Sequence, residues 1–437
     1  MQSSPSTSTP AAAGVIQPVS CTHLMDEGVW GKLPETELEL IFARLPLKDI
    51  VRLQALNTRW KLLIRSSYFQ QRLEQVSQQL GATRFGLLTQ VIKGPRSLCW
   101  DFHIFDTPAG EWNHFSLSGP PDTISKGIFP IATAGGLVCM SNVYGERIFV
   151  VNPVTNACRK LPQDLSGNMS GWTKCRFLTM ALMEETTDNH HHHHHHQTRK
   201  WQYTLTLALS QKPWPEGSNL TSLLCEKQVN VSHFHFAVYN SATNCWSKRD
   251  NPNDPNLLRN KIFRLFPSGA AVMASTDVLG NQVFQLIPRP LDVTSKPDWM
   301  ETAPNDSDSR ALAYGVRLSW FPQSVDVYKL QSAGQLEWKM VASVPAQSGT
   351  QLLRECKCFM VCNDKQLIIV KCHANKQVIY NEFPVSMCDL TTCTWQDLPS
   401  IFPSLSGTLR SDSKTTKEIN MAGLAGCTFE IKFDAVP

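Results

Sequence analysis

The sequence predicts a small all-α module of three helices followed by an all-β propeller of about six blades. Three observations carry this. Residues 33–64 space their apolar side chains at helical period. After Gly81 the texture changes to short alternating runs such as FHIF, RIFVV, YTLTLAL, FHFAVY and LIIVK, parted by Gly, Pro, Asn and Asp. Within those runs an Asn or Asp recurs six residues before a large side chain, which makes the strands copies of one unit.

Residues 1–25 open MQSSPSTSTPAAAG; they are rich in Ser, Thr, Pro and Ala and read as a disordered tail. The helical module is placed at 26–67. Leu38, Ile41, Phe42 and Leu45 recur at i, i+3, i+4 and i+7, Pro34 suits a first helical turn, and Pro46 ends one helix and starts the next. Set on one continuous wheel, Leu47, Ile50, Val51, Leu53, Leu56 and Trp60 cover an arc of roughly 220°, against the ~100° stripe that a helix at the edge of a core needs. The polar residues 68–84 read as a helical connector that holds the module apart from the strands. A unit below about 40 residues seldom supports itself, so the surplus apolar surface is expected to meet a separate protein.

Residues 85–437 form the predicted propeller. In FDTPAGEW, VNPVTNAC, YNSATNCW and CDLTTCTW, residues Asp106, Asn152, Asn240 and Asp389 precede Trp112, Cys158, Trp246 and Trp395. The short side chain bonds back into the turn, and the large residue opening the next strand packs between units. Tyr328 to Trp338 reads as a looser copy and Trp299 as a further anchor, giving about six blades. The insertion at 184–200, holding His190 to His196, reads as an exposed hairpin loop. CTFEIKF alternates Phe429, Ile431 and Phe433 on one face, and is assigned to closing the last sheet by pairing with strands near Phe85 to Phe105.

Composition excludes several classes. The 41 Lys+Arg against 37 Asp+Glu leave +4 with no basic block, which argues against nucleic acid. No apolar run approaches the ~18 residues of a membrane span, and the first positive charge is Lys32, so neither a signal nor a transit peptide is expected. The 14 Cys are scattered, as in a reducing compartment, and the chain is expected in the nucleus and/or cytoplasm.

No cofactor or metal is expected. A flexible His run has no fixed ligand geometry, and Cys356, Cys358, Cys362 and Cys372, beside His373, lack the paired spacing of a zinc knuckle. Alternation instead puts Cys356, Cys358 and Cys362 on one strand face as core residues. Phosphate loops, nucleophile elbows and H-E-x-x-H are missing, so no enzyme is expected. A radical oxidase on this scaffold would need Tyr and Cys converging on one of His103, His114, His233 and His235.

LPETELELIFARLPLKDIVRLQALNTRWKLLI resembles the F-box, the three-helix module that docks on the Skp-type adaptor of cullin-based SCF ubiquitin ligases. The resemblance covers Leu33-Pro34-Glu35, Leu38, Ile41, Leu45-Pro46-Leu47, Ile50, Leu53, Arg59-Trp60 and Leu63-Ile64. Where plant F-boxes read Val-Cys-Lys-Arg-Trp, this chain has Leu56-Asn57-Thr58-Arg59-Trp60. DEGVWGKLP, with Trp30 before Leu33-Pro34, and the Gly135-Gly136 doublet resemble plant F-box/kelch proteins of the unusual-floral-organs type. The resemblance implies that Leu33, Pro34, Leu38, Ile41, Leu45, Pro46, Ile50, Leu53 and Trp60 contact the adaptor, and that a kelch-type propeller presents an unidentified target protein for ubiquitination. Asn57-Thr58 is the feature that favours an alternative: a non-ligase interaction scaffold or transcriptional cofactor.

Overall fold

The computed structural model describes residues 30–80, the strands between residues 84 and 429 with several of the turns joining them, and residues 431–437. The tail 1–25 and the His run lie outside the described residues. Four described helices come first: α1 (Glu35–Ala43), α2 (Leu47–Leu56), α3 (Thr58–Ile64) and α4 (Ser67–Gln79). Pro34 and Pro46 precede α1 and α2, where a ring without N–H removes no helical bond.

The wide apolar arc dissolves because Leu45 to Trp60 is not one helix. Asn57 takes extended backbone, φ −150° and ψ 136°, and its Oδ1 accepts from Arg59 N at 2.7 Å, so α3 starts afresh. Within α2 the buried residues are Leu47, Ile50 and Leu53, an ordinary stripe. Trp60 belongs to α3 and packs edge-on against Phe42 and Trp30.

The strands form antiparallel sheets. The first sheet orders β24 (Gly426–Phe429), β1 (Arg84–Ile92), β2 (Leu98–Asp106) and β3 (Glu111–Ser116); the second runs β4 (Ile128–Ala134), β5 (Leu137–Asn142), β6 (Ile148–Asn152) and β7 (Ala157–Lys160). An eight-stranded sheet follows. One half is β8 (Arg176–Glu184), β9 (Trp201–Ser210), β11 (Phe234–Asn240) and β12 (Cys245–Arg249). The other is β13 (Ile262–Leu265), β14 (Ala271–Thr276), β15 (Gln282–Leu286) and β10 (Val229–Asn230), joined to the first only where Arg264 and Leu265 pair Leu178 and Phe177. The last two sheets hold β16 (Trp299–Thr302), β17 (Ala311–Trp320), β18 (Gln323–Ser332) and β19 (Leu336–Pro345), then β20 (Cys356–Cys362), β21 (Gln366–His373), β22 (Val385–Asp389) and β23 (Thr394–Leu398). The first strands of these runs neighbour one another: β24 touches β4 and β20, β4 touches β8, and β16 touches β20.

The repeated spacing is the hairpin between the last two strands of a run. Asp106 pairs Glu111, Asn152 pairs Ala157, Asn240 pairs Cys245 and Asp389 pairs Thr394, so each closes a four-residue loop. Gly110, Asn156 and Asn244, at the same place in three copies, take φ of 63°, 54° and 54°, which suits Gly and Asn. Two of the four large residues bridge units: Trp112 Nε1 donates to Pro399 O at 2.8 Å, and Trp246 Nε1 to Pro162 O at 3.0 Å. Trp338 lies on β19 of an outer pair, but Trp299 opens β16 of that same sheet and anchors no unit of its own. Gly135 and Gly136, with φ 50° and 79°, are the two-residue loop between β4 and β5, where both positions need positive φ.

Two expectations are corrected. Closure pairs β24 with β1 through Gly426 to Phe429, but the strand stops there. Ile431 and Phe433 leave the sheet and are buried under the helices. Nor does α4 hold the two parts apart. Its Phe69, Leu73 and Val76 join one core with Phe102, Ile104, Ile128, Phe149, Ile431 and Phe433, and Phe69 packs edge-on against Phe433. Gln70, buried, donates to Ile431 O at 3.1 Å and accepts from Phe433 N at 3.2 Å, so its amide satisfies a passing backbone as a neighbouring strand does. Asn152 grips the same segment from the other side, donating to Lys432 O and Ala435 O at 2.9 and 2.8 Å while its Oδ1 accepts from Val154 N and Thr155 N. Phe433→Ala is therefore expected to destabilise the chain by about 3–5 kcal/mol and to loosen helices and sheets together, read by denaturant unfolding with fluorescence and circular dichroism.

Candidate functional site

The helical module gathers most of its apolar residues inward. Of those expected at an adaptor contact, Leu38, Ile50, Leu53 and Trp60 are buried within this chain. Leu33, Ile41, Leu45 and Pro46 are half-buried and Pro34 is exposed. Leu56, counted in the wide apolar arc but not among the adaptor contacts, and Leu62, not singled out from the sequence, keep 57% and 68% of their surface in solvent. Apolar residues of the module that keep exposure therefore include those of the two Leu-Pro turns, Ile41 and these two leucines.

Arg59 holds the start of the module in place. Its guanidinium donates to Gly31 O at 3.0 Å and Leu33 O at 3.2 Å, with Glu35 at 3.8 Å. Those bonds pin the chain that carries Leu33 and Pro34 against α3, beside the Trp30–Trp60 contact. The Asn57-Thr58 departure is a helix cap, so it acts on local geometry and not on an apolar contact.

The module sits on two successive hairpins. Asp106 ends β2 fully buried, and its Oδ2 accepts from Leu47 N at 2.8 Å. Leu47 N lies in the first turn of α2, where helical N–H groups have no partner in their own helix, and Pro46 offers no side-chain cap. A carboxylate there contributes about 0.3–1 kcal/mol, rising to ~2 when partly buried. Lys48 pairs with Glu111 on the same hairpin; both side chains are over a third exposed, so the pair contributes ~1 kcal/mol at most. Arg65, which follows α3, donates to Thr155 O of the second hairpin at 3.4 Å and to Gln54 Oε1 of α2 at 3.1 Å, and burial lowers its pKa from the ordinary arginine value.

Among the described residues, one pair of the candidates for chemistry comes together. His103 and His114 pair across β2 and β3 with their Nδ1 atoms 2.6 Å apart, the tautomer deciding which ring donates. His233 and the side chain of His235 lie outside the described residues. Cys356, Cys358 and Cys362 fall on β20 and Cys372 on β21, with Cys356 opposite His373, though their side chains also lie outside that set. Among the described residues no group of three or more His, Cys, Asp or Glu is placed to hold a metal. Burial pushes the Cys139 thiol far up and that of Cys158 up to about 11, so neither supplies a thiolate near neutral pH. No described helix is long and apolar enough to cross a membrane.

Comparison with known proteins defines the module. Residues 30–72 match the F-box domain family, so the chain carries an F-box domain. It is 26% identical over 149 residues to F-box only protein 6 of Arabidopsis thaliana, covering 33% of this chain and 30% of that protein. Two F-box/kelch-repeat proteins of the same plant are each 25% identical, covering 30% of this chain and 31% and 32% of theirs. The chain thus spans about a third of the length of the curated relatives it matches. Among solved structures, a nidogen/laminin complex has a TM-score of 0.33 at 9% identity, covering 74% of this chain and 94% of that one. Apo AztD from Citrobacter koseri scores 0.32 at 8%, covering 79% and 98%. Likeness at this level carries no argument about the fold, which rests on the strand pairings themselves.

Asn57 gives the local test. Asn57→Ala is expected to cost about 1 kcal/mol of stability through the lost cap, measured by denaturant titration, and a larger loss would mean that α3 leans on Asn57 for more than its start.

Proposed function

We propose that this chain is the substrate-recognition subunit of an SCF-type ubiquitin ligase: its helices dock on a Skp-type adaptor, and through it on cullin, while the β domain holds a target protein. The observation that carries the reading is the F-box match over 30–72. It falls on a folded helical unit whose outward apolar residues are those of the Leu-Pro turns. In this reading Leu33, Pro34, Ile41, Leu45 and Pro46 touch the adaptor, with Leu56 and Leu62 extending that surface. Leu38, Ile50, Leu53 and Trp60 set the shape of the contact from below. Ubiquitin transfer takes place on other subunits, so the chain contributes placement and no chemistry, nor does it engage nucleic acid or membrane. The working compartment is the nucleus or cytoplasm, where scattered cysteines are kept reduced.

The strand order supports a kelch-type propeller of six four-stranded blades, counting the eight-stranded sheet as two. Neighbouring first strands, the Trp112–Pro399 bond between the first and last sheets, and the pairing of β24 with β1 all favour a ring closed by both ends of the domain. A closer kinship to the unusual-floral-organs type rests on Trp30 before Leu33-Pro34; here Trp30 meets Trp60 edge-on and so belongs to the module's own packing.

Capture of a Skp-type adaptor and cullin by the intact chain, and by a Leu45→Ala, Pro46→Ala double variant, tests the reading. Adaptor recovery is expected from the intact chain and at least a tenfold loss from the variant, as for truncation at an interface centre. Recovery of adaptor by neither would overturn the ligase reading in favour of a scaffold working outside a ligase.

A further inference from the structure

We propose that Asp106, with Glu111 across its hairpin, is a positioning residue that fixes the angle of the adaptor-binding helices on the first sheet, and so fixes where ubiquitin is delivered. This rests on the receptor reading above. The first argument is the internal comparison that the repeat allows. In three copies of the hairpin the recurring Asn or Asp accepts from its own turn: Asn152 from Val154 and Thr155, Asn240 from Ala242, and Asp389 from Thr392. In the first copy one carboxylate oxygen reaches outside the repeat, accepting from Leu47 N, 59 residues away. The backbone carbonyl of Asp106 accepts from Ala109 N and Gly110 N, so the turn is held while that oxygen serves the helix.

The second argument is geometric. Asp106 and Glu111 are the pair that closes this hairpin, and they hold two consecutive residues of α2, Leu47 and Lys48. Apolar contacts such as those of Phe69 with Phe433 are non-directional, and the bonds of Gln70 and Arg65 fix α4 and the end of α3 but do not touch the start of α2. Two directional contacts at adjacent residues fix that start. The hairpin is itself tied to the last sheet, since Trp112, beside Glu111, donates to Pro399 O. An unbroken line therefore runs from α2 through Asp106 to the sheets, and rigid placement of reacting partners is what a subunit without chemistry can contribute to rate. The register explains why no neighbour substitutes: Pro46 has neither an N–H nor a polar side chain with which α2 could begin on its own.

The test uses the full chain assembled with adaptor, cullin and charged ubiquitin-conjugating enzyme, reading ubiquitin on the chain's own β-domain lysines by mass spectrometry. Fluorophores on noncanonical residues at exposed positions Lys61 and Ala242 report the helix-to-sheet distance. Asp106→Ala is expected to keep adaptor capture, broaden the distance distribution, spread ubiquitin over additional lysines and slow the principal site roughly fivefold, the loss of one helix cap. Asp106→Asn retains an acceptor and is expected to restore the distribution and the lysine pattern. If Asp106→Ala fails to fold, Lys48→Glu is expected to broaden the distribution and the exchanged pair Lys48→Glu, Glu111→Lys to narrow it again. An unchanged distance distribution and lysine pattern in folded Asp106→Ala, or in Lys48→Glu, would overturn the proposal. Failure of the unaltered chain to capture adaptor would instead overturn the receptor reading, and the distance distributions would still judge the role of Asp106.

Discussion

The burial of the helices against the sheets is the constraint from which the rest follows. A helical unit this small exposes too much apolar surface to stand alone, and here that surface is divided. Phe69, Leu73, Val76, Leu38 and Ile50 share a core with Phe102, Ile104 and Phe433, while Pro34, Leu56 and Leu62 remain outside. The first group holds helices and sheets together, and the second keeps its apolar surface in solvent. Each fully buried Leu, Ile or Phe is worth about 1.5–3 kcal/mol, so apolar burial supplies the adhesion. The polar contacts of Asp106, Gln70 and Asn152 are fewer and weaker in sum. They supply direction, since each fixes which backbone group meets which.

Much of the fold was legible in the sequence, for physical reasons. Pro34 and Pro46 mark helix starts because a missing N–H costs nothing there. The spacing from Asn152 to Cys158 marks a hairpin because a four-residue loop with a residue of positive φ at its end admits few sequences. The break at Asn57 was equally present, as an N-cap side chain, but a single helical wheel drawn across it turned an ordinary stripe into an anomaly. Trp299 misled because a large aromatic residue opens inner and outer strands alike, and spacing along the chain does not distinguish them.

The candidate site was harder to read, since its parts are distant in sequence. Nothing near Gln70 announces that its amide serves the backbone of Ile431 and Phe433, more than 360 residues away. Asp106 was visible as a turn residue, which it is, and the bond to Leu47 adds a second role that composition does not encode. The polar texture of α4 suggested a spacer because its apolar face is narrow: Phe69, Leu73 and Val76 are buried there together with the polar Gln70.

The central claim is that helices and sheets form one cooperative body, so that whatever binds one is held at a fixed place relative to the other. Native-state hydrogen exchange of the full chain tests it most directly. The account predicts that amides of α4 between Phe69 and Val76 and those of the β1–β24 pairing exchange through openings of the same free energy, with the same denaturant dependence. Exchange of the helical amides through a separate opening of much lower free energy, with the sheet amides still protected, would contradict it.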